Sequence, residues 1–221
     1  MINGFLHGIT RYGIGLLKSL ALLLLIVGGV GFVEPAYMSL KASLSQHLLE
    51  TAWRKSVAYP QQNIKPWPWA DTWPVFKLRL RKSSSVTERE TALSDKESQL
   101  SRSYVVLADA SGESLAFAPG LVTTTVYPGD LGNSLIAAHK DTHFSFMEAM
   151  TYKDSIEVEY KDGSTYRFEI DHVEIIDSRQ ESPIININES RVTLVTCYPF
   201  EQTSQQTPFR MLMSGIMVAN N

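Results

Sequence analysis

The chain holds one cysteine, Cys197, which closes the run Thr193-Leu194-Val195-Thr196 and is followed at once by Tyr198-Pro199. Period-2 alternation places Thr193, Val195 and Cys197 on one face of a strand, and Pro199 stops that strand. A thiol at the lip of a strand, with a loop beyond it, is open to a substrate in a way that a mid-strand thiol is not. Such a thiol is nucleophilic as the thiolate, and a free pKa of about 8.5 leaves little thiolate at neutral pH. A basic or cationic neighbour is therefore required. Among the histidines, His47 falls on the polar flank of a helical pattern, and His172 sits beside Asp171 inside a strand-like stretch. Both read as surface or packing residues. His139 differs, because it ends the apolar run Leu135-Ile136-Ala137-Ala138 at a second strand-to-loop boundary. Arg210 follows Cys197 by thirteen residues at the start of another strand pattern, close enough for a returning chain to bring its guanidinium beside the sulfur. Nucleophile, proton shuttle and fixed positive charge are the parts that acyl transfer needs.

The elements that must deliver these groups are mostly strands. Val75–Leu80, Tyr104–Ala108, Leu135–Ala138, Ser155–Tyr160, Ser164–Ile176, Arg191–Cys197 and Phe209–Val218 carry alternating or continuous apolar patterns, and Asp162-Gly163 supplies a hairpin turn. Ser145–Met150 is a brief helical piece. Seven or eight short strands with little helix predict a closed or nearly closed β-barrel over residues 75–221, with Cys197 and His139 at one mouth. Residues 81–101 are polar and rich in Ser, Glu and Lys, and read as a solvated loop or exposed helix.

Ahead of the barrel, residues 35–74 divide into a helix and a connector. Tyr37, Leu40, Leu44 and Leu48 form an apolar stripe on a helix that starts at Pro35 and ends before Pro60. From Tyr59 to Pro74, four prolines interleaved with Trp67, Trp69 and Trp73 forbid a helix and favour a stiff, extended strap, with indoles packed on the domain or seated at a membrane interface. Residues 1–34 contain Tyr12–Val33, 22 almost wholly apolar residues. At 1.5 Å per residue they span about 30 Å, the thickness of a bilayer's hydrocarbon core. Arg11 and Lys18 on one side and Glu34 on the other orient the N-terminus to the cytoplasm and the rest outside. A cleaved signal peptide with Gly29-Val30-Gly31 near its end is the alternative to an uncleaved single-pass anchor.

Composition excludes several functions. With a net charge of −3 in 221 residues there is no basic field for nucleic acid, and one cysteine rules out a disulfide framework or a Cys-rich zinc site. His139 and His143, four apart around Asp141, would share a helix face and could bind zinc, but the preceding strand makes His139 a poor helix residue. His143 reads better as a packing residue near His139. No cofactor is expected, and no dense carboxylate cluster calls for calcium.

Thr193-Leu194-Val195-Thr196-Cys197 resembles the sortase signature Thr-Leu-X-Thr-Cys, with Arg210 where that signature's arginine falls. Asn133–His139 resembles the strand that delivers the sortase histidine, except that Ala138 replaces the usual glycine. The run Lys140-Asp141-Thr142-His143-Phe144, the run Cys197-Tyr198-Pro199-Phe200 and the Pro66–Pro74 connector are similar to the Gram-negative (proteobacterial) sortase class. The resemblance implies an eight-stranded sortase barrel on an inner-membrane anchor, facing the periplasm. It implies a cysteine transpeptidase that cleaves the C-terminal sorting signal of an exported protein, a Leu-Pro-X-Thr-Gly-like motif in better-known sortases. Cys197 would attack the backbone carbonyl, His139 would shuttle the proton, and Arg210 would hold substrate or the oxyanion. Thr196 would line the same pocket, with Asp141 and His143 in support. The amine acceptor is open, and specificity is expected in the loops Ser178–Ser190 and Tyr198–Pro208. L,D-transpeptidases carry Gly-Cys, whereas Thr196 precedes the cysteine here. Two other readings stand beside the transpeptidase: a hydrolytic thiol peptidase, and a non-catalytic anchored barrel that binds envelope partners.

Overall fold

The computed structural model describes residues 43–81, 103–185, 187–201 and 207–219, together with Lys18 and Lys41. The anchor segment Tyr12–Val33 apart from Lys18, the helix start at Pro35 with Tyr37 and Leu40, and the polar stretch after Arg81 as far as residue 102 lie outside them. Among the described residues no helix is long and apolar enough to cross a membrane. The chain divides into two units, residues 1–45 and 46–221. Of the first, the described residues Lys18, Lys41 and 43–45 are helical.

The second unit is a closed barrel of eight strands: β1 (Pro74–Arg81), β2 (Ser103–Leu107), β3 (Gly120–Leu121), β4 (Gly132–Ala137), β5 (Ser155–Tyr160), β6 (Thr165–Asp177), β7 (Ser190–Cys197) and β8 (Phe209–Val218). Around the barrel they run β1-β2-β3-β4-β7-β8-β6-β5, with β5 pairing back onto β1. Closure leaves no open edge in the ladder. Seven of the eight coincide with the sequence patterns to within a few residues. Two residues are too few to show a period, which is why β3 is invisible in the sequence. Gly120 is nevertheless fixed by contact, since a Cβ there would lie 2.1 Å from the Asp109 carbonyl oxygen.

The β5–β6 hairpin turns at Lys161-Asp162-Gly163, with the Gly163 amide donating to the Tyr160 carbonyl and Gly163 at φ +84°. Glycine takes that left-handed conformation without steric cost, and Asp162 accepts from the Ser164 amide to close the turn. The core fills the barrel with Phe76, Leu78, Ile136, Ile156, Phe168 and Leu194, each 0 % exposed. Ser145–Ala149 is a 3-10 helix that turns Phe146 and Met147 into this core beside Phe144.

Residues 46–58 form the helix that leads into the connector. Its buried face is Leu49, Ala52, Trp53 and Ser56, while Leu48 is half-buried. Of the expected stripe Tyr37, Leu40, Leu44 and Leu48, only Leu48 falls on this helix among the described residues, and it lies at the margin of a face that Trp53, Leu49 and Ala52 fill. Leu49 packs with Leu107 and Ala118. Lys77 of β1 reaches up to the helix, 2.8 Å from Glu50 and over the Trp53 ring. In the connector, residues 59–73 contain no regular helix or strand. Trp67 stacks edge-on against Phe117 and Trp73 packs on the barrel core, whereas Trp69 is 76 % exposed.

Candidate active site

Strand register assembles the site. On β7, Val192, Leu194 and Thr196 face the core, and Thr193, Val195 and Cys197 face outward. In the antiparallel β7–β8 pair, Cys197 lies directly opposite Arg210. Residues opposed in this way share a face, with Cβ atoms about 4.5–5.5 Å apart. The pairing runs one residue further, the Tyr198 amide donating to the Phe209 carbonyl at 3.1 Å. On the other flank, β4 runs parallel to β7 with Ala137 opposite Val195, and the Ala138 amide donates to the Val195 carbonyl at 3.2 Å. His139 is the next residue, so it leaves β4 at the level where Cys197 ends β7. Two neighbouring parallel strands must exit at the same end, and β8 begins where β7 stops, which is why Cys197, His139 and Arg210 stand at one end of the barrel.

Cys197, His139 and Arg210 are all half-buried, as groups that meet a substrate should be. Arg210 donates from Nη1 to the Thr207 and Phe209 carbonyls, at 2.5 and 2.9 Å. Among the described residues no carboxylate forms an ion pair with it.

Thr196 does not line the pocket face. Period-2 geometry turns it inward, where it is 2 % exposed and donates to the Ala138 carbonyl at 2.8 Å. Its contact is with the residue that precedes His139. Asp141 is exposed, with one carboxylate oxygen 3.7 Å from the Lys140 ammonium. His143 is half-buried, edge-on to Tyr104 with ring centroids 6.3 Å apart. Its Nδ1 lies 3.2 Å from the Thr142 hydroxyl. Residues 140–143 form turns rather than a helix, so the spacing that would put His139 and His143 on one helical face does not apply. Among the described residues no three His, Cys, Asp or Glu side chains converge on a point that could hold a metal.

Burial, and then the neighbouring His139, hold the His143 pKa down at about 4, against the pull of a hydrogen bond with the Phe117 carbonyl. An unfolded-chain imidazole titrates near 6.5. Between those values the unfolded state takes up a proton that the folded state refuses. Stability from this group is thus full above about pH 6.5 and falls as pH drops towards 4, by on the order of 2 kcal/mol. Urea denaturation at pH 7.5 and pH 5 is expected to show that loss in the parent and a smaller one in His143→Gln. Equal losses in both would exclude the buried neutral imidazole.

A groove runs along the outer face of β7 away from the mouth. Thr193, Leu212 and Ser214 form its floor, and Pro183, Ile184 and Ile187 of the β6–β7 loop form one wall. Thr193 donates to the Asn133 side-chain oxygen at 2.9 Å, so its hydroxyl accepts from Ser214 at 2.7 Å. Asn133 in turn donates its side-chain amide to the Ile184 carbonyl at 2.9 Å and its backbone amide to that of Ile185 at 3.0 Å. Sequence reasoning missed this relay, because Asn133 and Ser214 are distant in the chain and ordinary in type.

A sortase domain model matches residues 98–217 of the chain. No curated protein sequence matches it. Among solved structures it is similar to a sortase D5 transpeptidase of Clostridium perfringens, with a TM-score of 0.58 at 14 % identity over 80 % of this chain and 99 % of that one. Sortase A from Corynebacterium diphtheriae gives 0.54 at 15 % identity, over 85 % and 86 % of the two chains. Sortase C-1 from Streptococcus pneumoniae gives 0.52 at 17 %, over 67 % and 68 %. At such identities these structures share the barrel, and it is the domain match over more than half of the sequence that carries the descent: the chain belongs to the sortase family of cysteine transpeptidases.

Proposed function

We propose that this protein is a cysteine transpeptidase that cleaves a C-terminal sorting signal on an exported protein, working from the periplasmic face of a Gram-negative inner membrane to which Tyr12–Val33 anchors it. The observation that carries the reading is the register that sets Cys197 opposite Arg210 and brings His139 out of the adjacent strand at the same level. In the first step the Cys197 thiol gives its proton to His139 as the sulfur bonds to the scissile backbone carbonyl carbon, and the carbonyl oxygen takes the electron pair as an oxyanion. Arg210 supplies fixed positive charge and N–H donors to that oxygen or to the backbone beside it. The C–N bond then breaks, and His139 delivers a proton to the leaving amine. A thioester remains on Cys197. In the second step an amine, or water where no amine is bound, attacks the thioester carbon and gives its proton to His139. The carbon–sulfur bond breaks, His139 returns that proton to the sulfur, and the thiol is restored. Thr196 supports the site through the Ala138 carbonyl. Asp141 and His143 border the histidine loop.

The test is covalent capture. The full chain, incubated with a library of Leu-Pro-X-Thr-Gly peptides and without added amine, is expected to gain the mass of the acyl fragment, all of it on Cys197. Neutral hydroxylamine should release that mass as the hydroxamate, as a thioester requires. Peptide bound without any covalent adduct, across the whole library, would favour the non-catalytic envelope-binding barrel.

A further inference from the structure

Lys140 follows His139 directly, yet it is 2 % exposed and its side chain is closed off from water. Its ammonium donates to two backbone carbonyls, Pro199 at 2.9 Å and Phe200 at 3.2 Å. Those carbonyls belong to the loop that leaves β7 immediately after Cys197. Burying an ammonium is costly unless its hydrogens are taken up, and a lysine with four freely rotating side-chain bonds normally stays in solvent. Here it crosses between the two loops that carry the chemistry.

A second side chain crosses in the opposite sense. Thr196, just before Cys197, bonds to Ala138, just before His139. Lys140, just after His139, bonds to Pro199 and Phe200, just after Cys197. The β4–β7 ladder itself ends at the Ala138–Val195 bond, so beyond it the two tethers join the loops. Thr196 fixes the approach to each reactive residue, and Lys140 fixes the exit.

We propose that Lys140 is a positioning residue for the transpeptidase reaction, clamping the loop after the nucleophile to the loop of the histidine and so holding the thiol and imidazole at working distance. The inference rests on the function proposed above. A displacement of about 1 Å in such a pair can cost on the order of 10²-fold in rate while leaving binding intact, since only the reacting geometry changes.

The experiment compares Lys140→Met, which fills the space without a donor, with Lys140→Arg, which restores charge and N–H groups. In peptide cleavage by the full chain, Lys140→Met is expected to lower kcat by at least about tenfold with KM within about twofold, and Lys140→Arg to recover most of it. A peptide-independent arm measures alkylation of Cys197 by iodoacetamide. In the parent, His139→Ala should slow that alkylation several-fold, because the imidazole beside the thiol is lost. In the Lys140→Met background the same substitution should change it by less than about twofold, because the imidazole is no longer held there. If Lys140→Met does not fold, Lys140→Leu, which likewise has no donor, carries both measurements. A lowered Tm with unchanged kcat and unchanged thiol–imidazole coupling would make Lys140 a stabilising residue only and overturn the proposal. Failure of the parent to form any acyl-enzyme is a different result. It would sink the transpeptidase reading while the alkylation arm still reports whether Lys140 holds the pair.

Discussion

Cys197→Ala is expected to reduce peptide cleavage to background, and Cys197→Ser to lower kcat/KM by at least about 10³-fold, with thermal unfolding unchanged for both. The two halves of that result come from different facts. Cys197 ends β7 on the outer, half-exposed face, outside the buried cluster that fills the barrel. Removing its sulfur creates no cavity in the core, and a surface change of this kind costs within about 0.5 kcal/mol. The chemistry is another matter. A serine hydroxyl ionises far less readily than a thiol and is a poorer nucleophile without a strong general base, so shape is retained and reactivity is not. Steady-state cleavage rates and a melting curve on the same preparations check both. Undiminished cleavage in Cys197→Ala would remove the thiol from the mechanism and with it the reading of the whole site.

A closed barrel suits this kind of site because hydrogen bonding on both sides of each strand fixes its end. Cys197 and Arg210 cannot shift along β7 and β8 without breaking their ladder, and His139 follows directly on the last β4–β7 bond. The loops beyond the ladder lack that constraint. Side-chain tethers supply it instead: Thr196 and Lys140 at the mouth, and the Ser214–Thr193–Asn133 relay that pins the β6–β7 loop along the groove.

These differences in what fixes each part also explain what could be read from the chain. An alternating strand such as Ser155–Tyr160 declares itself, because a half-buried pleat imposes a period of two that residue types reveal. The placement of Cys197 and His139 at strand ends is legible for the same reason, and Pro199 marks the stop. Arg210 opposite Cys197 is legible only as a spacing; its register is set by the whole β7–β8 ladder. Side-chain direction in loops is not legible at all. Nothing in the type or position of Lys140 distinguishes it from a solvated lysine, and Thr196 was expected on the pocket face although its own alternation turns it inward. The leading helix failed differently. Its stripe was followed from Tyr37 through Leu40 and Leu44 to Leu48, whereas on residues 46–58 Trp53, with Leu49 and Ala52, sets which face is buried.

Arg210→Lys is expected to cost about 10²–10³-fold in kcat/KM, almost as much as Arg210→Ala, although it keeps the positive charge. The reason lies in how the guanidinium is used. Nη1 is already engaged with the Thr207 and Phe209 carbonyls, which locks the plane of the group against the start of β8. The remaining N–H donors therefore point in directions fixed by that plane, on the strand directly beside Cys197. An ammonium placed there can either satisfy the carbonyls or reach the substrate, and its single charged centre cannot do both in one geometry. Preorganised donors matter where charge develops in the transition state, and a donor that must reorient loses most of that advantage. The kinetics also divide the two roles left open for Arg210. A fall in kcat with little change in KM assigns it to the oxyanion, and a rise in KM at constant kcat assigns it to holding the peptide backbone. Retention of activity within about twofold in Arg210→Lys would show that charge alone suffices and that the fixed guanidinium plane has no part in the reaction.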